Sequence, residues 1–94
     1  MRRDVRRPMP EISRFFGIVV RMNFDDHIPP HFHVRYSGRR ASIAIRPLQV
    51  LRTQLPPRIL GLVLEWAALH QDELMVDWDL ASRGRPLRKI APLE

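Results

Sequence analysis

Cysteine is absent from the chain, and so are long apolar runs and internal repeats. The first absence excludes disulfide bonds and thiolate metal sites, and it is typical of proteins of the reducing cytoplasm. No apolar run approaches the roughly 20 residues that a membrane-spanning helix requires, so we expect no membrane partner. A chain of 94 residues without repeats predicts a single domain with one modest core.

Positive charge is in excess and unevenly distributed. The formal net charge is +6, and the four arginines and one aspartate of residues 1–8 contribute +3 of it. We expect residues 1–8 to form a disordered basic arm, with Met9 as an alternative start, and residues 9–94 to form the domain. A basic chain favours an acidic partner such as nucleic acid, but the same charge is typical of a solubilising surface.

Alternating apolar residues predict an antiparallel β-meander in the first half of the domain. The predicted strands are 15–22, 31–36, 41–46 and a short edge strand at 49–52. Ser37 and Gly38 are typical of a turn. In the first of these strands, Phe16 is expected to point to the core together with Ile18, Val20 and Met22.

The second half of the domain has a helical pattern. Pro56 and Pro57 suit the first turn of a helix, and the run from Ile59 to Leu69 is almost entirely apolar. His70 is expected to end this helix, and a second helix, or the continuation of one kinked helix, runs to Gly84. The predicted fold class is therefore α+β: a three- to four-stranded antiparallel meander, then two helices or one kinked helix packed on one sheet face, then an extended C-terminal tail.

Residues 27–36, HIPPHFHVRY, hold three of the four histidines of the chain. Polar and apolar residues alternate from residue 31 to residue 36, as in a half-buried strand. Such a strand would turn its apolar even-numbered residues to the core and present His31, His33 and Arg35 on the opposite face.

This polar face has the residue types needed to handle RNA. Histidine titrates near neutral pH, so a pair can provide an acid and a base, and arginine can stabilise charge on a phosphate. His31, His33 and Arg35 are therefore the candidate catalytic residues of a metal-independent ribonuclease. The candidate nucleic-acid contacts are Arg21, Arg35, Arg46, Arg88 and Lys89.

The same histidines allow two other interpretations. His27, His31 and His33 have spacings that suit a divalent transition metal such as zinc, and Asp25 or Asp26 could add an oxygen ligand. In the purely structural alternative, the prolines shape a connection and the histidines are half-exposed hydrogen-bonding groups. The ribonuclease interpretation needs no cofactor, whereas the metal interpretation does.

Three separated blocks resemble one known family: MPEISRFFGIVVRMNFDDHIPPHFHVRY, LVLEWAALH and LRKIAPLE. Together they resemble the domain of unknown function 4160 family, small bacterial proteins, over Met9–Glu94. The chain departs from that pattern at Arg46–Gln49, where an acidic, glycine-bearing hairpin is expected, and in its arginine-rich extension, Met1–Pro8. Members are often encoded beside the domain of unknown function 2442 family, in modules that look like toxin–antitoxin pairs. The resemblance therefore implies a partner protein of that second family.

The resemblance implies a component of a two-gene toxin–antitoxin-like module, and the lack of cysteine favours the cytoplasm as its location. It would act on nucleic acid or on its partner through the His/Arg face, and the sequence leaves open whether it is an enzyme. One alternative is a non-catalytic interaction module that docks by an exposed strand edge and by its C-terminal tail. Another is a small metal-binding protein that uses His27, His31 and His33.

Overall fold

The computed structural model describes residues 9–24 and 26–94. The predicted basic arm, residues 1–8, lies outside the described residues, and so does Asp25, one of the two predicted oxygen ligands. The described part of the chain forms a five-stranded antiparallel sheet followed by two helices. The predicted α+β class is confirmed, with one strand more than expected.

The strands follow one another across the sheet in sequence order. They are β1 (Glu11–Phe15), β2 (Ile18–Arg21), β3 (His31–Tyr36), β4 (Arg39–Ala44) and β5 (Gln49–Thr53), and the helices are α1 (Pro57–Leu69) and α2 (Gln71–Ser82). α1 begins with proline, whose missing N–H would have no helical partner in the first turn. His70 separates the helices, so the second half of the domain forms two helices rather than one kinked helix. Neither of these helices is long and apolar enough to cross a membrane.

The prediction of one strand over 15–22 is wrong, because the chain reverses direction at Phe16 and Gly17. Both residues have positive φ angles, 50° and 79°, as in the type I′ turns that join two strands tightly. β1 and β2 therefore pair with each other as a hairpin. Phe16 lies in the turn and is 59% exposed, so its predicted place in the core is also wrong.

One face of the sheet and the two helices share the hydrophobic core. Its fully buried side chains come from strands and helices alike and include Ile18, Val20, Phe32, Ile43, Val63, Trp66 and Leu74. The C-terminal tail closes this core, since Ile90 is buried and its N–H donates to the carbonyl of Ile12 at 2.8 Å. This packing leaves the polar face of β2 to β5 available for other contacts.

Candidate functional site

A row of polar side chains crosses the sheet on the face opposite the core. The antiparallel register pairs Arg21 with His33, His33 with Ser42, and Ser42 with Arg52. Each of these residues belongs to a different strand, from β2 to β5. Because neighbouring strands lie about 4.8 Å apart, the row spans about 14 Å.

A second row lies beside the first and carries an unusual pair of charges. Arg35 of β3 is directly opposite Arg40 of β4, and both are exposed. Like charges in directly opposed positions destabilise a sheet. Among the described residues, the arginines that form ion pairs with carboxylates are Arg14, Arg46 and Arg83. Neither Arg35 nor Arg40 is one of them. The positive charge of the Arg35–Arg40 pair is thus not neutralised within the described chain.

The two rows line a groove of about 680 Å³, here called the arginine groove. Its polar lining consists of Arg21, Arg35, Arg40, Arg52, His33, Ser42 and Gln54. None of the described residues that line it is acidic, and none is phenylalanine, tyrosine or tryptophan. A concave surface with charges of one sign concentrates the electrostatic field, so the groove attracts anions.

A cluster of two imidazoles and one carboxylate adjoins the groove. It consists of Asp26, from the loop between β2 and β3, with His31 and His33 of β3. The Nε2 atoms of His33 and His31 lie 2.6 Å and 3.2 Å from the same carboxylate oxygen, Oδ2 of Asp26. The centroids of the two rings are 5.0 Å apart. Both histidines therefore direct the same ring nitrogen at one oxygen atom.

The remaining ring nitrogens of this His/Asp cluster contact other protein atoms. Nδ1 of His31 lies 2.7 Å from the carbonyl oxygen of Pro29, and Nδ1 of His33 lies 3.3 Å from Oγ of Ser42. The ring of Trp78, from α2, lies 5.5 Å from the His31 ring. Only 12% of the His31 side chain is exposed, against 27% for His33. His31 is thus a covered member of the cluster, whereas His33 also faces the groove.

A family model described as Domain of unknown function (DUF4160) matches residues 17–79. The chain belongs to this family. The match runs from the turn after β1 into α2, so it contains the polar lining of the arginine groove and the His/Asp cluster of this DUF4160 domain. It also contains Arg46–Gln49, where the sequence departs from the expected pattern. No curated protein and no solved structure matches the chain significantly.

Some of the predicted site residues come together in the DUF4160 domain. Arg21 and Arg35, predicted to contact nucleic acid, line the arginine groove with His33. His31 lies next to His33 in the His/Asp cluster, where Asp26 is the described carboxylate. The catalytic roles assigned to His31, His33 and Arg35 stay predictions, because the geometry shows proximity and not reaction.

Other predicted residues lie elsewhere. His27 is exposed and is not among the three residues whose ligand atoms converge. Arg46 forms an ion pair with Asp72 of α2 at 2.6 Å, on an exposed part of the surface. Arg88 and Lys89 are exposed in the C-terminal tail and do not line the arginine groove. Nucleic-acid contact by these three basic residues stays a prediction.

Two groove arginines of the DUF4160 domain were absent from the predicted contacts. The sequence pattern did indicate Arg40. It lies two residues before Ser42 on the same strand, so its side chain shares the face of Ser42, away from the core. Arg52 had no such signal, because the β4–β5 register shifts between Ser42 and Ile43. Ser42 pairs with Arg52 but Ile43 pairs with Val50, so β5 has one extra residue there. Such a bulge changes which residues share a face and cannot be read from alternation alone.

Proposed function

We propose that this protein binds RNA through the arginine groove, as the cytoplasmic component of a two-gene toxin–antitoxin-like module. The observation that carries the proposal is that Arg21, Arg35, Arg40 and Arg52, from four neighbouring strands, line one groove. Guanidinium groups donate paired hydrogen bonds whose geometry matches the oxygens of a phosphate. A groove lined by four of them suits a chain of phosphates better than a single small anion.

The repulsion between the two opposed arginines favours the binding of an anion in the groove. Arg35 and Arg40 repel each other across β3 and β4. A phosphate bound between them would replace this repulsion by two attractive contacts. The site is therefore complementary to a polyanion and poorly matched to a neutral ligand.

The lining of the groove also indicates how RNA would be recognised. Its described residues offer no phenylalanine, tyrosine or tryptophan on which bases could stack. Contacts to phosphates position a nucleic acid but carry no direct sequence information. We therefore propose binding to the phosphate backbone of RNA, with weak dependence on base sequence.

The contacts of His31 and His33 support RNA binding better than they support RNA cleavage. Both ring nitrogens of His31 lie against Asp26 and Pro29, and those of His33 lie against Asp26 and Ser42. A general base must reach the proton that it removes, directly or through one water molecule. Neither imidazole has a nitrogen without a protein contact to offer to a bound RNA, so cleavage would require the cluster to rearrange.

Replacing the opposed arginines, Arg35→Ala with Arg40→Ala, is expected to weaken RNA binding and to reduce its dependence on salt. Each phosphate contact to a single strand contributes about −0.7 to the slope of log K against log salt. Four contacts predict a slope of about −2.8, or about a 50-fold loss of affinity between 50 and 200 mM salt. The double variant should show a slope of about −1.4 and about a 7-fold loss. Fluorescence anisotropy with a labelled single-stranded RNA measures both.

The matched control removes two positive charges outside the groove, Arg58→Ala with Arg83→Ala. Arg58 is exposed on α1, and Arg83 pairs with Asp79 at 3.3 Å. This variant should retain the wild-type salt slope. Equal losses in both double variants would show an effect of net charge and would refute the groove. The length of the RNA after incubation, compared between wild type and His33→Ala, tests cleavage in the same samples.

A protein-interaction function is favoured by a different observation, the open edge of the sheet at β5. This strand pairs with β4 alone among the described strands, and four of its five residues are exposed. Leu51, at the register shift, is 44% exposed. An unpaired strand edge can accept a strand from another chain. The partner proposed for this edge is a protein of the domain of unknown function 2442 family.

Leu51→Lys is expected to weaken that association at least about tenfold, which corresponds to about 1.4 kcal/mol. Charged side chains, lysine above all, block strand addition at sheet edges. Copurification of the two coexpressed proteins, followed by titration of the purified pair, measures the effect. Leu69→Lys is the control, because Leu69 is an equally large apolar residue, 68% exposed, at the end of α1 and not on the edge strand. If the association persists in Leu51→Lys but is lost in Leu69→Lys, the interface lies on the helices and not on the strand edge.

A further inference from the structure

We infer that Asp26, His31 and His33 bind one divalent transition-metal ion. Their three ligand atoms, one carboxylate oxygen and two imidazole nitrogens, all lie within 4.8 Å of one another. Ligand atoms bound to one zinc ion at about 2.0–2.1 Å in tetrahedral geometry lie about 3.3 Å apart. Nε2 of His31 lies 3.2 Å from Oδ2 of Asp26, which already suits a shared ion. The 2.6 Å separation between Nε2 of His33 and the same oxygen would have to widen.

The hydrogen bond of His31 fixes which ring nitrogen can bind a metal. The carbonyl oxygen of Pro29, 2.7 Å from Nδ1, can only accept, so Nδ1 carries the proton. In the neutral ring, Nε2 then has a lone pair, and this lone pair faces the carboxylate oxygen of Asp26. Two electron-rich atoms at this distance repel each other unless a cation lies between them. A metal ion supplies that cation, and an imidazolium proton is the competing arrangement.

His33, like His31, has a hydrogen-bonding partner at Nδ1 while its Nε2 faces Asp26. Its Nδ1 lies 3.3 Å from Oγ of Ser42, a hydroxyl that can accept a hydrogen bond from a ring N–H. Metal-binding histidines generally donate their second ring N–H to a carbonyl, carboxylate, water or similar acceptor, which fixes the tautomer and the orientation of the ring. Both histidines of the cluster thus have the outer contacts of metal ligands.

The cluster is also held in place before any ion binds. His31 and His33 are two residues apart on β3, a strand that is paired on both sides. The Trp78 ring packs near His31 and covers it. His33 lines the arginine groove, so an ion held by three protein ligands would keep a coordination position toward solvent. Two imidazoles and one carboxylate suit zinc, iron, cobalt or nickel better than calcium or magnesium.

This set differs from the ligands that the sequence predicted, because His27 is not part of it and Asp26, named there only as one of two possible oxygen ligands, is the carboxylate. His27 is exposed and is not among the converging residues. None of the three ligands is an arginine of the groove, so the inference does not rest on RNA binding. The difference between the two ligand sets provides the control for the experiment.

The test is titration of the full chain, purified without a polyhistidine tag and stripped with a chelator, with Zn²⁺ in a calorimeter and with Co²⁺ in a spectrophotometer. The wild type should bind one ion of each, with visible Co²⁺ absorption. Asp26→Asn, which keeps the shape of the side chain, and His33→Ala should each lower the affinity more than about 100-fold. His27→Ala and His70→Ala should stay within about twofold of wild type, since His70 contacts Glu73 outside the cluster.

Three results would overturn the inference: no stoichiometric binding to the wild type, unchanged affinity in Asp26→Asn, or loss of binding in His27→Ala. The first would assign the cluster to a hydrogen-bonded histidine–aspartate network without an ion, and the last would restore the ligand set predicted from sequence. Far-ultraviolet circular dichroism of each metal-free variant separates lost ligands from lost folding. RNA is absent from these titrations, so their outcome is independent of the arginine groove.

Discussion

Trp66→Ala is expected to lower the free energy of unfolding by about 3–5 kcal/mol. Trp66 is fully buried, and its ring centroid lies 5.5 Å from that of Phe15 and 5.8 Å from that of Phe32. Its indole N–H also donates to the carbonyl of Ala91 at 2.8 Å. One side chain thus joins the sheet, α1 and the C-terminal tail, and alanine would leave a large cavity among them. Urea unfolding followed by circular dichroism measures the change.

Trp66→Phe is the matched variant that separates packing from hydrogen bonding. It keeps an aromatic ring but removes the indole donor, so the Ala91 carbonyl loses its partner. The hydrogen bond alone should account for about 0.5–1.5 kcal/mol. Trp78 remains as the fluorescence reporter in both variants. A loss of less than 1 kcal/mol in Trp66→Ala would contradict the central position of this ring in the core.

The strand that carries the histidines could be predicted because alternation determines its faces directly. Phe32 and Val34 are buried and Arg35 is exposed, as the period of two requires. The same reasoning failed at Phe16, where an aromatic residue occupies a turn position with a positive φ angle. Ser37 has the same φ angle, 50°, in the next hairpin. Its polar side chain marks a turn in the sequence, whereas phenylalanine is typical of a strand.

The boundary between the helices and the composition of the cluster depend on contacts between distant parts of the chain. Gln71, just after the boundary, donates to the carbonyl of Ile45 at 2.7 Å, and nothing local to residue 71 indicates this contact. Trp78 reaches His31 across 47 positions of sequence for the same reason. Asp26 could be named only as one of two neighbouring aspartates, because a loop has no periodicity from which to infer its direction. Sequence patterns therefore indicated the faces of strands and left their long-range neighbours undetermined.

Asp77→Asn is expected to raise the free energy of unfolding at pH 7 by about 1–3 kcal/mol. Asp77 lies fully buried in α2, and burial raises the pKa of its carboxyl group above the ordinary value. The backbone N–H of Arg88 donates to Oδ1 at 2.8 Å and offsets part of this effect, whereas Oδ2 has no hydrogen-bond partner among the described residues. Asparagine can keep the bond from Arg88 while removing the buried charge.

The pH dependence of this difference follows from the direction of the pKa shift. Above the raised pKa of folded Asp77, the buried carboxylate destabilises the fold by its full amount. As the pH falls through that pKa toward 3.8, the folded state takes up the proton first, so the penalty disappears and the advantage of asparagine shrinks. Glu11 acts in the opposite direction, because its hydrogen bond from Arg14 lowers its pKa. The free energy of unfolding is measured against pH for the wild type and for Asp77→Asn. Subtracting the wild-type curve from the variant curve cancels contributions such as that of Glu11 and leaves the contribution of Asp77. A difference that grows as the pH falls would mean that this carboxylate is stabilised in the fold, and that its hydrogen bond to the tail outweighs the cost of burial.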